Sequence, residues 1–215
     1  MPPVLALYED ILSDDATLAL PPSPRMIFVV HGSVTIAERT LGDGEAWHGE
    51  GGVTLTAGTT GATCWRFDLT SATAAAPASA GVISREKLAA QLATLPQGDL
   101  LLRGDSVGFP PGGCAFLHRH WGPGIRCLIE GGIRIDTHGR STSYGPGGAW
   151  YETGPDAVFA QAAADRPSRF IRVMVLPREL IGKSSFRYVN EADKAKPRVQ
   201  QYKIFVDAAI ERPGG

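Results

Sequence analysis

Glycine and proline set the strongest limit on what this chain can fold into. Its 215 residues include 26 glycines and 16 prolines, about one residue in five, against roughly 12% in average usage. Proline removes a backbone donor, and a glycine inside a helix costs about 1 kcal/mol relative to alanine. Helical bundles and coiled coils are therefore disfavoured. Short alternating segments run between the turns: Met26 to Val30, Ser33 to Ala37, Val53 to Thr56, Cys64 to Leu69, Cys114 to His120, Ile125 to Ile129, Ile133 to Asp136 and Phe170 to Leu176. This is the pattern of an all-β sandwich or barrel.

Other broad classes fall away on charge and hydropathy. A 43% hydrophobic content is enough for a real core. With 21 basic against 22 acidic residues the net charge is -1, and no basic stripe offers itself to phosphates, so nucleic acid is not an expected partner. No apolar run approaches the ~20 residues of a membrane span, and no basic, apolar leader opens the chain, so the expectation is a cytoplasmic protein with no membrane partner. Cys64, Cys114 and Cys127 are an odd, widely spaced set that reads as reduced thiols rather than a disulfide framework.

One helix is expected, over Ser84 to Leu95: Ser84 caps it, Glu86 lies in its first turn, Leu88, Leu92 and Leu95 share a face, and Pro96 ends it. Ahead of it, Ser71 to Gly81 is rich in Ala, Ser, Thr and Pro and reads as an exposed link. The stretches on either side look alike. Met26 to Ile36 can be laid on Arg126 to Ile135, Gly42 to Gly51 on Gly145 to Gly154 with Trp47 on Trp150, and Trp65 to Leu69 on Arg169 to Val175. Three landmarks in the same order argue for a duplicated unit.

The chemistry concentrates in Pro110 to His120. Alternation along a strand puts Cys114, Phe116, His118 and His120 on one face. Two inward imidazoles at i and i+2 can hold a divalent metal when their second nitrogens are tied by outer partners. Equally, they can form the polar floor of an apolar pocket. Arg126, set between Ile125 and Cys127, is expected to point outward.

A Gly five residues before His-x-His, then a strand and a Gly turn, resembles the first motif of the cupin superfamily, and the repeated halves look like a bicupin. Gly112, His118, His120 and Gly131 or Gly132 fit that motif, whereas its Glu position falls on Gly124 or Ile125. The second motif places Glu152 at its Pro, Ala157 at its His and Gln161 at its Asn. Two of four family ligands remain, so the metal motif is degenerate. The resemblance implies two tandem cupin-type jelly-roll barrels with one connecting helix and a C-terminal extension. The organisation expected is a degenerate barrel over 1–81, the helix over 82–98, a His-bearing barrel over 99–180 and the extension over 181–215.

A third metal ligand would come from Glu152, Asp156 or Cys127, because a carboxylate with two His makes a facial triad with open positions. The pocket is expected to be lined by Cys114, Phe116, Cys127, Trp150 and Gln161. The resemblance implies one divalent ion, Fe, Mn, Ni or Zn, at His118 and His120, and a metalloprotein acting on a small organic molecule as dioxygenase-type members do. The alternative is a metal-free bicupin that binds a small ligand as carrier or sensor. Tyr202 to Ile210 can lie against the barrel or against a partner subunit, and a homodimer is a further expectation.

Overall fold

The computed structural model describes residues 2–71 and 79–212. Its chain divides into two compact units, Met1–Thr94 with Ile210–Gly215 and Leu95–Ala209. Residues 72–78, most of the expected link, lie outside the described residues.

In the first unit, β1 (Val4–Leu12), β2 (Thr17–Leu20), β3 (Arg25–Ile36), β4 (Arg39–Leu41), β5 (Ala46–Gly49), β6 (Val53–Thr70) and β7 (Val82–Gln91) form one antiparallel sheet. Two strands serve two layers. The first part of β6 pairs with β2 and the end of β3, and its second part pairs with β1 and the start of β3. The resulting orders are β7-β1-β6-β3-β5 and β2-β6-β3-β4.

The second unit separates the same layers into two five-stranded sheets. The first, β13-β10-β15-β8-β17, uses β8 (Leu100–Phe109), β10 (Gly124–Glu130), β13 (Ala149–Glu152), β15 (Ser168–Pro177) and β17 (Gln201–Ile210). The second, β12-β11-β14-β9-β16, uses β9 (Cys114–His120), β11 (Ile133–Thr137), β12 (Arg140–Tyr144), β14 (Val158–Ala162) and β16 (Phe186–Tyr188). Strand by strand, the first unit maps onto this arrangement with one exception among the described residues: β16 has no counterpart.

Two glycines show why the duplication is visible in sequence. Gly32 and Gly131 both have positive φ, 84° and 81°, and a Cβ at either would collide with backbone, Gly61 O in one case and Pro167 O in the other. Only glycine fits such a corner without strain. Register moves the match at Met26 by one residue. Ile27 stands opposite Trp47 as Arg126 stands opposite Trp150, so Ile27 is the residue equivalent to Arg126.

The expected helix is instead β7, paired along its length with β1. The leucine spacing suits a helix, but β1 would then present an unpaired edge. Side chains also favour the strand. The Ser84 hydroxyl, read as a helix cap, donates to Asp10 and accepts from Arg66 at 3.2 Å, and Lys87 reaches Glu9 at 3.3 Å. The C-terminal stretch likewise joins the fold: Glu191–Ala195 is a short 3-10 helix, and β17 lies along β8.

Each unit has its own core. In the first, Leu18, Leu20, Ile27, Ile36, Leu41 and Leu55 are fully or almost fully buried in one cluster, each contributing about 1.5–3 kcal/mol by leaving water. In the second, Val107, Leu128, Ile133, Trp150, Val158 and Phe170 form the corresponding cluster. No described helix is long and apolar enough to cross a membrane.

Candidate functional site

β9 carries His118 and His120 into the second barrel with the help of an irregularity. Cys114 pairs with Gln161 and Ala115 with Ala160, but His118 pairs with Val158, so β9 has one extra residue opposite β14. This bulge turns the strand between Ala115 and His118. Ala115, His118 and His120 face the interior, while Cys114 and Phe116 turn away. Alternation therefore holds for the His pair and fails for Cys114 and Phe116, because the bulge sits between them. Phe116 lies under the Lys196 ammonium at 4.2 Å instead. Gln161 donates to the Gly112 carbonyl at 2.6 Å and does not line the cavity.

Of the three further ligand candidates, only Glu152 reaches the pair, its Oε2 lying 3.7 Å from His120 Nε2. Asp156 is held at the surface by His138 at 3.3 Å and by the Thr153 hydroxyl. Cys127 is buried but is not part of the cavity lining. Trp150 does line it, and its indole N–H donates to Glu152 Oε1 at 2.9 Å.

Arg126 reverses the expectation that it faces outward. Both Ile125 and Cys127 are at 0% exposure and Arg126 is at 1%, so β10 is buried on both faces and apolar alternation carries no inward signal. Arg126 Nη1 donates to the Gly124 carbonyl at 2.6 Å, and Nη2 lies 2.8 Å from Glu152 Oε2. That contact is off the hydrogen-bond direction. Arg126 Nη2 and Glu152 Oε2 are the two buried side-chain nitrogen or oxygen atoms without a hydrogen-bond partner among the described residues.

Directly across from Arg126 stands Arg172 on β15, clamped by Asp105 through Nε at 2.9 Å and Nη2 at 2.7 Å. The His rings are fixed as well. His118 Nδ1 lies 2.8 Å from the Phe116 carbonyl, and Phe186 stacks on its ring with centroids 4.1 Å apart. His120 Nδ1 meets the Ser185 hydroxyl at 3.3 Å.

Burial controls the titration of this group. Desolvation pushes His118 down to about 4, against the opposing pull of Glu152. It holds His120 well below its ordinary value, helped by Arg172, His118 and Arg126. Both imidazoles are therefore neutral at neutral pH. Burial also lowers Arg126 to about 10, with Glu152 opposing, which leaves it charged at neutral pH. The two arginines are thus matched by Glu152 and Asp105.

These residues enclose a cavity of about 20 Å³, room for one water-sized group. Arg172, Phe186, Gln200 and Tyr202 also line a neighbouring cleft of about 280 Å³, together with Arg198 and Ile204. Arg198 lies over the rings of Phe186 and Tyr188 at 5.6 and 5.3 Å.

The donor set as it stands does not fit a resident divalent ion. The one carboxylate beside the His pair is engaged by a guanidinium, and a second guanidinium faces the same cavity. Among the described residues, no three His, Cys, Asp or Glu side chains converge as ligands. Sequence reasoning missed Arg126, Arg172, Phe186 and Tyr202. Arg172 was within reach, because the repeat places it on Arg66; nothing local marks Phe186, whose strand has no counterpart in the first unit.

No protein-family model matches the chain, and no curated protein does. Solved structures do. A point mutant of Bacillus subtilis oxalate decarboxylase aligns over 90% of this chain and 73% of its own, with a TM-score of 0.64 and 14% identity. A Lactobacillus farciminis oxalate decarboxylase formate complex aligns over 89% and 82%, with the same TM-score and identity. A further Bacillus subtilis structure, from work on the Mn(II) centers of oxalate decarboxylase, aligns over 90% and 73%, with a TM-score of 0.64 at 13% identity. Likeness at this identity establishes fold: the chain is an all-β protein built as two tandem cupin-type jelly-roll barrels.

Proposed function

We propose that the C-terminal unit is a binding site for a small organic anion, with a carboxylate set against Arg172 and Arg198 and the neutral His pair behind it. The observation that carries this reading is that Arg172 lines both the cleft and the neighbouring cavity. That guanidinium is clamped by Asp105 through Nε and Nη2 while it lines the cleft. Apolar walls from Phe186, Tyr202 and Ile204 suit an organic body, and a few placed polar groups among apolar walls are the usual composition of such sites. A carboxylate on a guanidinium is among the stronger hydrogen-bonded pairs.

The test is calorimetric titration of the full chain with short carboxylates, beside the Arg198→Ala variant. Arg198 is exposed, so its loss should weaken binding several-fold and leave the unliganded protein as stable as before. Equal affinity in both proteins would contradict the role given to Arg198. No binding at all would sink the reading.

A metal-dependent enzyme, including the dioxygenase type, is the second reading. Two neutral imidazoles and a buried carboxylate oxygen with no hydrogen-bond partner favour it, and Mn(II) centers belong to a structural neighbour. It requires Glu152 to leave Arg126. Elemental analysis of protein purified without chelators separates the two readings. Stoichiometric metal, lost in a His118→Ala, His120→Ala double variant, would replace the anion-site reading with the metal one.

A further inference from the structure

Arg126 Nη2 and Glu152 Oε2 make opposite demands on whatever enters the cavity. One is a donor in need of an acceptor, and the other is an acceptor in need of a donor. Both side chains are more than nine-tenths buried and the two atoms stand 2.8 Å apart as an ion pair, yet neither has a hydrogen-bond partner among the described residues, and a buried polar group without one is costly. The cavity that both residues line has room for one non-hydrogen atom. A keto oxygen would satisfy Arg126 only, and an ammonium would satisfy Glu152 only. A hydroxyl does both, accepting from Nη2 and donating to Oε2.

Placement says where the rest of the molecule lies. Arg126 and Arg172 are direct cross-strand partners on β10 and β15, so their Cβ atoms stand about 5 Å apart on one face. Both reach the cavity, and Arg172 alone also reaches the cleft. The simplest ligand that offers a hydroxyl to Arg126 and a carboxylate to Arg172 carries the two on neighbouring carbons. Resting on the anion-site reading above, we propose that the ligand class is the 2-hydroxy carboxylic acids: the hydroxyl enters between Arg126 and Glu152, the carboxylate lies on Arg172, and the body of the molecule extends along Phe186 and Tyr202 into the cleft.

The experiment compares matched probes by calorimetry on the full chain at neutral pH. One set is mandelate (each enantiomer), phenylacetate, which lacks the hydroxyl, and phenylglyoxylate, which has a ketone in its place. A smaller set is glycolate, acetate and glyoxylate. At least one hydroxy acid should bind about tenfold or more tightly than its two analogues, since a site built for a hydroxyl rejects ligands that leave its polar groups unmatched. An Arg126→Met, Glu152→Gln double variant removes both charges together and so avoids a lone buried charge. In it, the preference should fall to about twofold or less while phenylacetate binding persists. Equal binding of the three members of each set to the parent protein would overturn the hydroxyl assignment and leave the anion site standing, with a water holding the cavity. A preference that survives in the double variant would overturn it too. No binding of any probe would overturn both.

Discussion

At the register position where the second unit buries Arg126, the first buries Ile27. Glu152 is replaced there by Gly49, because these residues face Gly124 and Arg25 at equivalent places. Leu20 stands opposite Val53 as His118 stands opposite Val158. One strand plan thus serves both units, but at these three positions the first has isoleucine, glycine and leucine where the second has a guanidinium, a carboxylate and an imidazole. Leucines would have filled the second barrel with a gain in hydrophobic stabilisation. That contrast is what the proposed site rests on, and among the described residues β16, the strand that covers the His pair, has no counterpart in the first unit.

Charge is handled differently too. Both units place an arginine at the equivalent position on the strand next to the site, Arg66 and Arg172. In the first unit, Arg66 binds Asp10 at 2.7 and 3.1 Å, also contacts Asp68, and stacks on Tyr8 at 4.3 Å. Asp68 is shared with Arg25 at 2.8 Å. In the second unit, Arg172 has Asp105 alone as its ion-pair partner among the described residues. The first network shares its arginines among two carboxylates, while the second has one carboxylate and lies beside a cleft that Arg172 lines.

The largest expected effect separates these two networks. Asp105→Asn should cost about 3–5 kcal/mol, because it strands a buried guanidinium. Asp10→Asn should cost clearly less, since Arg66 keeps Asp68. Amide hydrogen exchange resolved over each unit checks this, and equal losses would break the contrast. Next comes a symmetric effect. Gly32→Ala and Gly131→Ala should each cost about 2–4 kcal/mol, since each forces positive φ and a backbone clash on a residue with a Cβ. A mild effect at either position would undo the claim that both corners are the same device.

Acid should act on one unit selectively. His118 is neutral when folded, with its value lowered from the ordinary 6.5 to about 4, so the unfolded chain binds more protons between those values. Its contribution is fully present above about pH 6.5 and is lost as pH falls toward 4. The second unit should therefore lose protection in this window, and His118→Gln should flatten the loss. A pH profile unchanged by that substitution would contradict the burial argument. The smallest effect is expected from remaking the second interior on the plan of the first. Arg126→Ile with Glu152→Leu should change stability by no more than about 1–2 kcal/mol in either direction, because apolar replacement of a whole buried pair is often neutral or stabilising. The preference for a hydroxy acid over its deoxy analogue should be lost. A retained preference would show that the hydroxyl does not enter between Arg126 and Glu152.

The fold was legible wherever backbone geometry dictates residue type. Gly32 and Gly131 hold corners that exclude side chains, and Trp47 and Trp150 fill matching places, so the repeat is written in the chain. The segment around Leu88 and Leu92 misled because its spacing satisfies a helix, while the deciding fact, an open edge on β1, is a property of the sheet. Of the candidate site, the sequence pointed to His118, His120, Glu152 and Trp150, which line one cavity. It was not legible at Arg126, whose strand is buried on both faces, or at Cys114 and Phe116, which a one-residue bulge turns away from the cavity.

The central claim is that one barrel of two retains a ligand site, and that the site is made for an organic anion. Residue-resolved chemical shifts during titration with mandelate and phenylacetate test it most directly. The predicted result is saturable change confined to the lining of the second interior, at His118, His120, Arg126, Arg172 and Tyr202, with none at Leu18, Leu20 or Ile27 and no requirement for added metal. Changes in the first unit, or changes that arise only once a divalent ion is supplied, would contradict it.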